Sequence, residues 1–232
     1  MIDALLDLFA GSSCLGCAQP GRLLCRHCEG GLPVLGRSVQ PSPCPPRLQA
    51  CFATCEYDGL VRDLLLWHKE RNALSLCAPL GQLLAGAIAA LLDAKRTDEA
   101  TKVLLAPVPS RRSVVRARGH DPVRRITQHA ASILRCSGWP VTMSPILRPR
   151  FAVRDQSQLD RAARGSNLND SIAVEGGLRQ ALSLAGRPVT FVLCDDILTT
   201  GATARECQRA LEESGLQVRG IATIAYTVKR HR

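Results

Sequence analysis

The run from Val189 to Leu193 is built of β-forming residues, continues as Cys194-Asp195-Asp196-Ile197-Leu198-Thr199-Thr200-Gly201-Ala202-Thr203, and passes into a helical pattern. A strand, a loop and a helix start in that order belong to a sheet whose strand ends carry ligand-binding loops. Two adjacent carboxylates at such an end accept hydrogen bonds from a sugar diol or hold Mg²⁺. Thr199, Thr200, Gly201, Ala202 and Thr203 then supply hydroxyls and backbone N–H groups at a helix N-terminus, where the dipole favours a phosphate. One loop therefore offers acceptors for a ribose and donors for a phosphomonoester. The plainer reading makes Asp195 and Asp196 ordinary strand-end acids and Thr203 an N-cap. The Gly-Lys-Ser/Thr ending of a Walker A loop is absent from this stretch.

From Cys51 onward strands and helices alternate. Strands are expected at Cys51 to Tyr57, Val103 to Pro107, Val141 to Leu147, Pro188 to Cys194 and Gln217 to Tyr226. Helices are expected at Leu60 to Glu70, Leu80 to Ala94, Pro122 to Leu134 and Ala202 to Ser214. The fold class is α/β, a parallel sheet flanked by helices. A chain of 232 residues with 46% hydrophobic residues suffices for one such core and a small satellite module.

That satellite is the N-terminal end. After a short amphipathic helix on Ile2, Leu5, Leu6 and Phe9, the composition turns to Cys, Gly, Pro and Arg, and Pro41, Pro43, Pro45 and Pro46 discourage regular structure. Residues 1–49 read as a Cys-rich zinc-binding module with a Pro-rich linker, and residues 50–232 as the sheet domain. Cys14, Cys17, Cys25 and Cys28 form two CxxC pairs, and four thiolates at ~2.3 Å satisfy the tetrahedral preference of structural zinc. A redox CxxC needs only one pair. Cys44 is a possible substitute for one of the four, while Cys51 and Cys55 read as small buried hydrophobes. His27 reads as a solvated loop histidine. The longest mostly apolar stretch, Ala78 to Leu92, falls short of the ~20 residues of a membrane span. No secretory signal is visible, so a cytoplasmic protein without membrane insertion is expected.

The strand–acidic pair–Thr-rich loop–helix segment resembles the phosphoribosyl diphosphate (PRPP) motif of type I phosphoribosyltransferases. With the Cys-rich module, with Ala106-Pro107-Val108-Pro109-Ser110 after a strand, with Arg116-Ala117-Arg118-Gly119-His120-Asp121 entering a helix, and with Gln156 to Leu168, the chain from about Cys14 to Tyr226 resembles the ComF family. That resemblance implies a type I phosphoribosyltransferase-like domain that transfers ribose 5-phosphate to an unidentified nucleophile with release of diphosphate, linked to DNA uptake and competence. It also implies roles for residues. Asp195 and Asp196 hold the ribose hydroxyls as the catalytic acids, Thr199 to Thr203 the 5′-phosphate, and Pro107, Val108, Pro109 and Ser110 face the diphosphate with Mg²⁺; Arg118 joins the PRPP-binding set. Where many members have Arg-Gly-Phe-Asn-Gln, this chain has Arg118-Gly119-His120-Asp121-Pro122, so an amide pair is lost.

Charge and composition bound the alternatives. Thirty Lys and Arg against 20 Asp and Glu give +10, which favours polyanionic partners. Arg111, Arg112, Arg116, Arg118, Arg124 and Arg125 lie within fifteen residues that hold one acid, as phosphate recognition would use them. With only 2 Trp, 2 Tyr and 4 Phe, a single-strand platform built mainly on base stacking is not expected. A non-catalytic PRPP or nucleotide sensor, or a protein handling single-stranded DNA through phosphate contacts, remain the alternatives, and the resemblance adds competence-machinery proteins as partners. Arg148 to Asn169, with Arg154, Arg161 and Arg164, is expected to be a lid that closes over bound PRPP. His68 and Arg71 read as an exposed helix end, with Lys69 kept as a ligand candidate.

Overall fold

The computed structural model describes residues 13–95, 101–110, 112–150, 171–176 and 188–228. The expected N-terminal helix and the body of the expected lid, residues 151–170, lie outside them. In chain order the elements are α1 (Arg26–Gly30), β1 (Arg37–Val39), β2 (Cys51–Glu56), α2 (Gly59–Glu70), a 3₁₀ turn (Leu74–Leu76), α3 (Cys77–Ala94), β3 (Lys102–Pro107), α4 (Arg112–Arg118), α5 (Pro122–Cys136), β4 (Val141–Met143), β5 (Leu147–Pro149), β6 (Ile172–Val174), β7 (Val189–Leu198), α6 (Ala202–Glu213) and β8 (Gln217–Tyr226).

Six strands form one sheet in the order β1-β2-β8-β7-β3-β4, parallel except for β1, which runs antiparallel on the edge. Side chains alternate across it as the pleat requires. Leu105, Val192, Cys194 and Ala222 point into a core shared with α2, α3 and α5. Leu104, Phe191, Leu193 and Ile221 point the other way, against Ala204, Cys207 and Leu211 of α6. Within α2, the buried residues Val61, Leu64, Leu65 and His68 recur at helical spacing, and Asp58 caps the first turn by accepting from Gly59 N at 2.8 Å. In α5, Asp121 caps and Pro122 sits at the first helical position, where its missing N–H costs nothing.

The strand order decides where a ligand can sit. From β3 the chain moves outward to β4, whereas from β7 it moves the opposite way to β8, so the order reverses between β3 and β7. A crevice opens at the carboxyl ends of two strands whose connections diverge like this.

Two expectations are corrected and a third is refined. The strand expected over Val141 to Leu147 is two short strands, because Pro145 has no N–H to give to a ladder; Ser144 N instead donates to Leu105 O at 2.8 Å, and the second piece pairs with β6 in a separate antiparallel ribbon. The last strand before α6 does not stop at Cys194. It continues to Leu198, because β8 offers partners the whole way, with Asp195 opposite Thr223 and Leu198 opposite Tyr226. And the stretch before the prolines contributes β1, after which the Pro-rich segment, without helix or strand as expected, straps onto α6: Arg205 Nε donates to Pro46 O at 3.1 Å, Gln208 Nε2 to Arg47 O at 2.8 Å, and Gln49 N to Gln208 Oε1 at 2.9 Å.

The helical stretch Leu74–Ala94 spans 21 residues, longer than the apolar run suggested, and by length and composition alone it is long enough to cross a membrane. Here it is the central helix against the sheet, with Leu80, Leu83, Leu84, Ile88 and Leu91 fully buried.

Candidate functional site

Cys14, Cys17, Cys25 and Cys28 converge with their sulfurs all within 4.8 Å of one another. Two turns and the start of α1 bring them together: Ala18 N donates to Cys14 O at 2.8 Å, and Cys25 caps α1 by accepting from Cys28 N at 3.4 Å. Cys17 Sγ and Cys25 Sγ are 3.7 Å apart, close to the ~3.8 Å edge of a tetrahedron with ~2.3 Å metal–sulfur bonds. Four thiols this close do not ionise together without a cation. Burial alone would push the Cys14 thiol up, but backbone N–H groups of Cys25, Cys17 and Gly16 hold it down at about 6. Cys28 is pushed up to about 12, first by its sulfur contact with Cys25. The donor set fits a structural zinc ion. Cys44 is exposed and stands outside the cluster, while Cys51 and Cys55 are buried in the sheet, as expected of small hydrophobes. His27 is exposed on α1. The module does not stand alone, since Leu23 and Leu24 are buried in the same core as Leu64 and Leu65 of α2.

At the other end of α2 lies the crevice. Pro107 at the end of β3 is opposite Cys194 of β7, and Val108 N donates to Cys194 O at 2.8 Å, so the Pro107–Ser110 turn and the acidic pair leave the sheet side by side. Ser110 Oγ lies 3.3 Å from Asp121 Oδ1, the oxygen that also caps Arg124 N at 3.2 Å, which fixes this turn to the start of α5. Asp196 is buried, and its Oδ2 forms an ion pair with Lys69 Nζ. Asp195 is partly exposed and accepts from Asp196 N at 2.9 Å. Desolvation first, and the adjacent Asp196 second, push its carboxyl well above the usual range, against the pull of that N–H and of Lys69.

The sign of the Asp195 shift gives a measurable consequence. The folded chain keeps this proton above the pH near 4 at which the unfolded chain loses it. Stability therefore falls as pH rises from there through the raised value, by about 1.4 kcal/mol per pH unit while only the folded form is protonated. Asp195→Asn removes that slope. The melting-temperature gain of the variant over the parent is expected to grow from pH 5 to pH 8, and an equal difference at both pH values would refute the shift.

Beyond the pair, only Thr199, Thr200 and Gly201 separate β7 from α6. Thr199, Thr200 and Thr203 are exposed, Ala202 is half-buried, and Thr200 Oγ1 accepts weakly from Ala202 N at 3.4 Å. Thr203 is not the N-cap; Gly201 is, in the left-handed region with φ of 70°. A Cβ there would come within 2.9 Å of Leu48 and 3.1 Å of Pro41, so the Pro-rich strap closes on the loop and admits only glycine.

The six arginines divide. Arg116 and Arg124, with Arg148, line a cavity of about 700 Å³ beside Pro107, Pro109 and Ser110, with Asp121 and Glu175 also in its wall; neither Asp195 nor Asp196 and no residue of the Thr-rich loop lines it. Arg118 is committed to Glu70 Oε1 at 2.5 Å, Arg125 is exposed, and Arg111 and the side chain of Arg112 lie outside what the structure describes. The chain matches no protein-family model and no curated protein.

His68 is not at an exposed helix end. It is fully buried, its Nδ1 3.2 Å from Ala73 O and its ring 5.6 Å from that of His120, which is also buried. Burial, ahead of the neighbouring groups, pushes the His68 imidazole down and keeps it neutral. The signal was in the sequence, because His68 falls on the stripe of Val61, Leu64 and Leu65. Lys69, next in the chain, turns the other way, onto Asp196.

Proposed function

We propose that this chain binds PRPP, or a closely related phosphoribosyl ligand, at the crevice between β3 and β7. In this reading it is a type I phosphoribosyltransferase-like protein of the ComF kind, acting in DNA uptake, with one structural zinc held by Cys14, Cys17, Cys25 and Cys28. One observation carries the reading: where the strand order reverses, an acidic pair, a Thr-rich helix N-terminus and the Pro107–Ser110 turn emerge together. Asp195 and Asp196 accept from the ribose hydroxyls, the loop from Thr199 to Thr203 donates to the 5′-phosphate, and the Pro107–Ser110 turn with Arg116 and Arg124 faces the diphosphate. Mg²⁺, brought with the diphosphate, supplies charge to the leaving group. Ribose 5-phosphate passes to a nucleophile when C1 loses diphosphate, and the fixed carboxylates stabilise the positive charge that develops there. Arg118 belongs to the same PRPP-binding set, and its ion pair with Glu70 holds its guanidinium at the end of α2.

Isothermal titration of the full chain with PRPP and Mg²⁺ tests the reading. Saturable 1:1 binding, weakened by ribose 5-phosphate and by diphosphate as competitors, is the expected result. Absence of binding at millimolar PRPP, with tight binding of single-stranded DNA, would replace it with the nucleic-acid reading.

A further inference from the structure

The last turn of α2 is held on both sides of Lys69. His68 before it is fully buried, and Glu70 after it is locked to Arg118. The Lys69 side chain lies over the carboxyl end of β7, where its ammonium meets Asp196 Oδ2; the Lys69 side chain is 25% exposed and that of Asp196 only 6%. Among the described residues, no other cation forms an ion pair with either acid. The site thus contains its own positive charge, covalently tethered, against one carboxylate oxygen of the buried acid.

We propose that Lys69 is the resident counter-cation of the acidic pair, and that it makes the pair a receptor for an uncharged vicinal diol and not for a divalent metal ion. The proposal rests on the phosphoribosyl reading for the identity of the diol. Two carboxylates and one ammonium leave at most one net negative charge at the pair, too little to strip a strongly hydrated dication of its water. A Mg²⁺ ion would also have to displace the ammonium from a buried carboxylate, leaving two like charges side by side in a poorly solvated place. A diol makes no such demand. Its two hydroxyls donate to lone pairs that Lys69 leaves open, and no net charge enters. Whatever divalent ion accompanies a diphosphate is then held on the arginine-lined side of the Pro107–Ser110 turn. Lys69 is a specificity-determining residue here, since it sets which chemical class the two acids accept.

Mn²⁺ alone, followed by electron paramagnetic resonance, is the probe, with the full chain and its thiol-bound metal retained. Lys69→Met is expected to gain a Mn²⁺ site at least about tenfold tighter than any in the parent, because a unit charge in contact with the pair is removed. Adding Asp196→Asn should abolish that site, and Lys69→Arg should behave as the parent does. A folded Lys69→Met with no gain would overturn the proposal, as would an Asp196-dependent Mn²⁺ site in the parent. If Lys69→Met does not fold, the parent and Asp196→Asn decide between them: equal Mn²⁺ binding supports the proposal and a loss in the variant overturns it. No sugar phosphate is present in these titrations, so failure of the phosphoribosyl reading would appear separately, in the PRPP titration.

Discussion

Asp195→Asn combined with Asp196→Asn is expected to lower the affinity of the full chain for PRPP with Mg²⁺ by at least about tenfold. The Asp196 change turns a charged acceptor into a neutral amide, the Asp195 change removes the second carboxyl of the pair, and hydrogen bonds to charged groups are worth ~1.5 to 3 kcal/mol each. An amide still accepts from a hydroxyl, but it does not stabilise positive charge developing at C1. The loss of transfer should therefore exceed the loss of binding. The second substitution also leaves Lys69 without its partner in a site where Asp196 is buried. Asp195→Asn alone, which keeps that ion pair, is the control for folding, and it should retain the parent's melting behaviour at pH 5. Isothermal titration with PRPP, and separately with ribose 5-phosphate, is the measurement. Parent-like affinity in a folded double variant, with binding of single-stranded DNA lost instead, would move the site elsewhere.

Cys17→Ser is expected to release the metal and unfold the N-terminal module. The parent should carry about one zinc per chain after purification under reducing conditions, and the variant less than half. Removing one of four thiolates forfeits much of a binding energy of ~10 to 16 kcal/mol, in a module too small to bury a core of its own. Cys17 is the exposed member of the four, so the substitution perturbs packing least. The sheet should survive, with one qualification. Leu23 and Leu24 insert into the core beside Leu64 and Leu65, and Gly16 lies against Leu60, where a Cβ would be 3.3 Å from its side chain. Amide exchange should therefore quicken in residues 13–36 and in the first turn of α2, and stay slow in β3, β7 and β8. Unchanged exchange in the module, or a parent without zinc, would refute the assignment.

The cysteine cluster and the acid-bearing strand were legible because their information is local. Two CxxC pairs bring four thiols onto two turns, whatever surrounds them. β8 has the bounds that its run of β-formers gave, and α6 starts at the expected residue, because side-chain periodicity along one element reports which face it buries. The bounds that failed involve partners remote in sequence. Nothing within Cys194 to Leu198 says that the strand goes on; Thr223 to Tyr226 supply that ladder. Pro145 breaks a strand that its flanking residues favour.

The residue types at the site, and their order along the chain, follow from the sequence by itself: a strand ending near two acids, then threonines, a glycine and a helix, with four cysteines far upstream. Only the tertiary structure decided what faces what. Strand order set β3 against β7, so that Pro107–Ser110 and Asp195–Asp196 leave the sheet side by side, although Val108 and Asp195 stand 87 positions apart in the numbering. Packing of α2 buried His68 and delivered Lys69 to Asp196, and the strap from Pro41 to Leu48 closed over Gly201. The physical reason is range. Periodicity and capping are set by neighbours a few positions away, whereas which strands pair and which charges meet is fixed by burial of the whole core, a quantity that no single segment encodes.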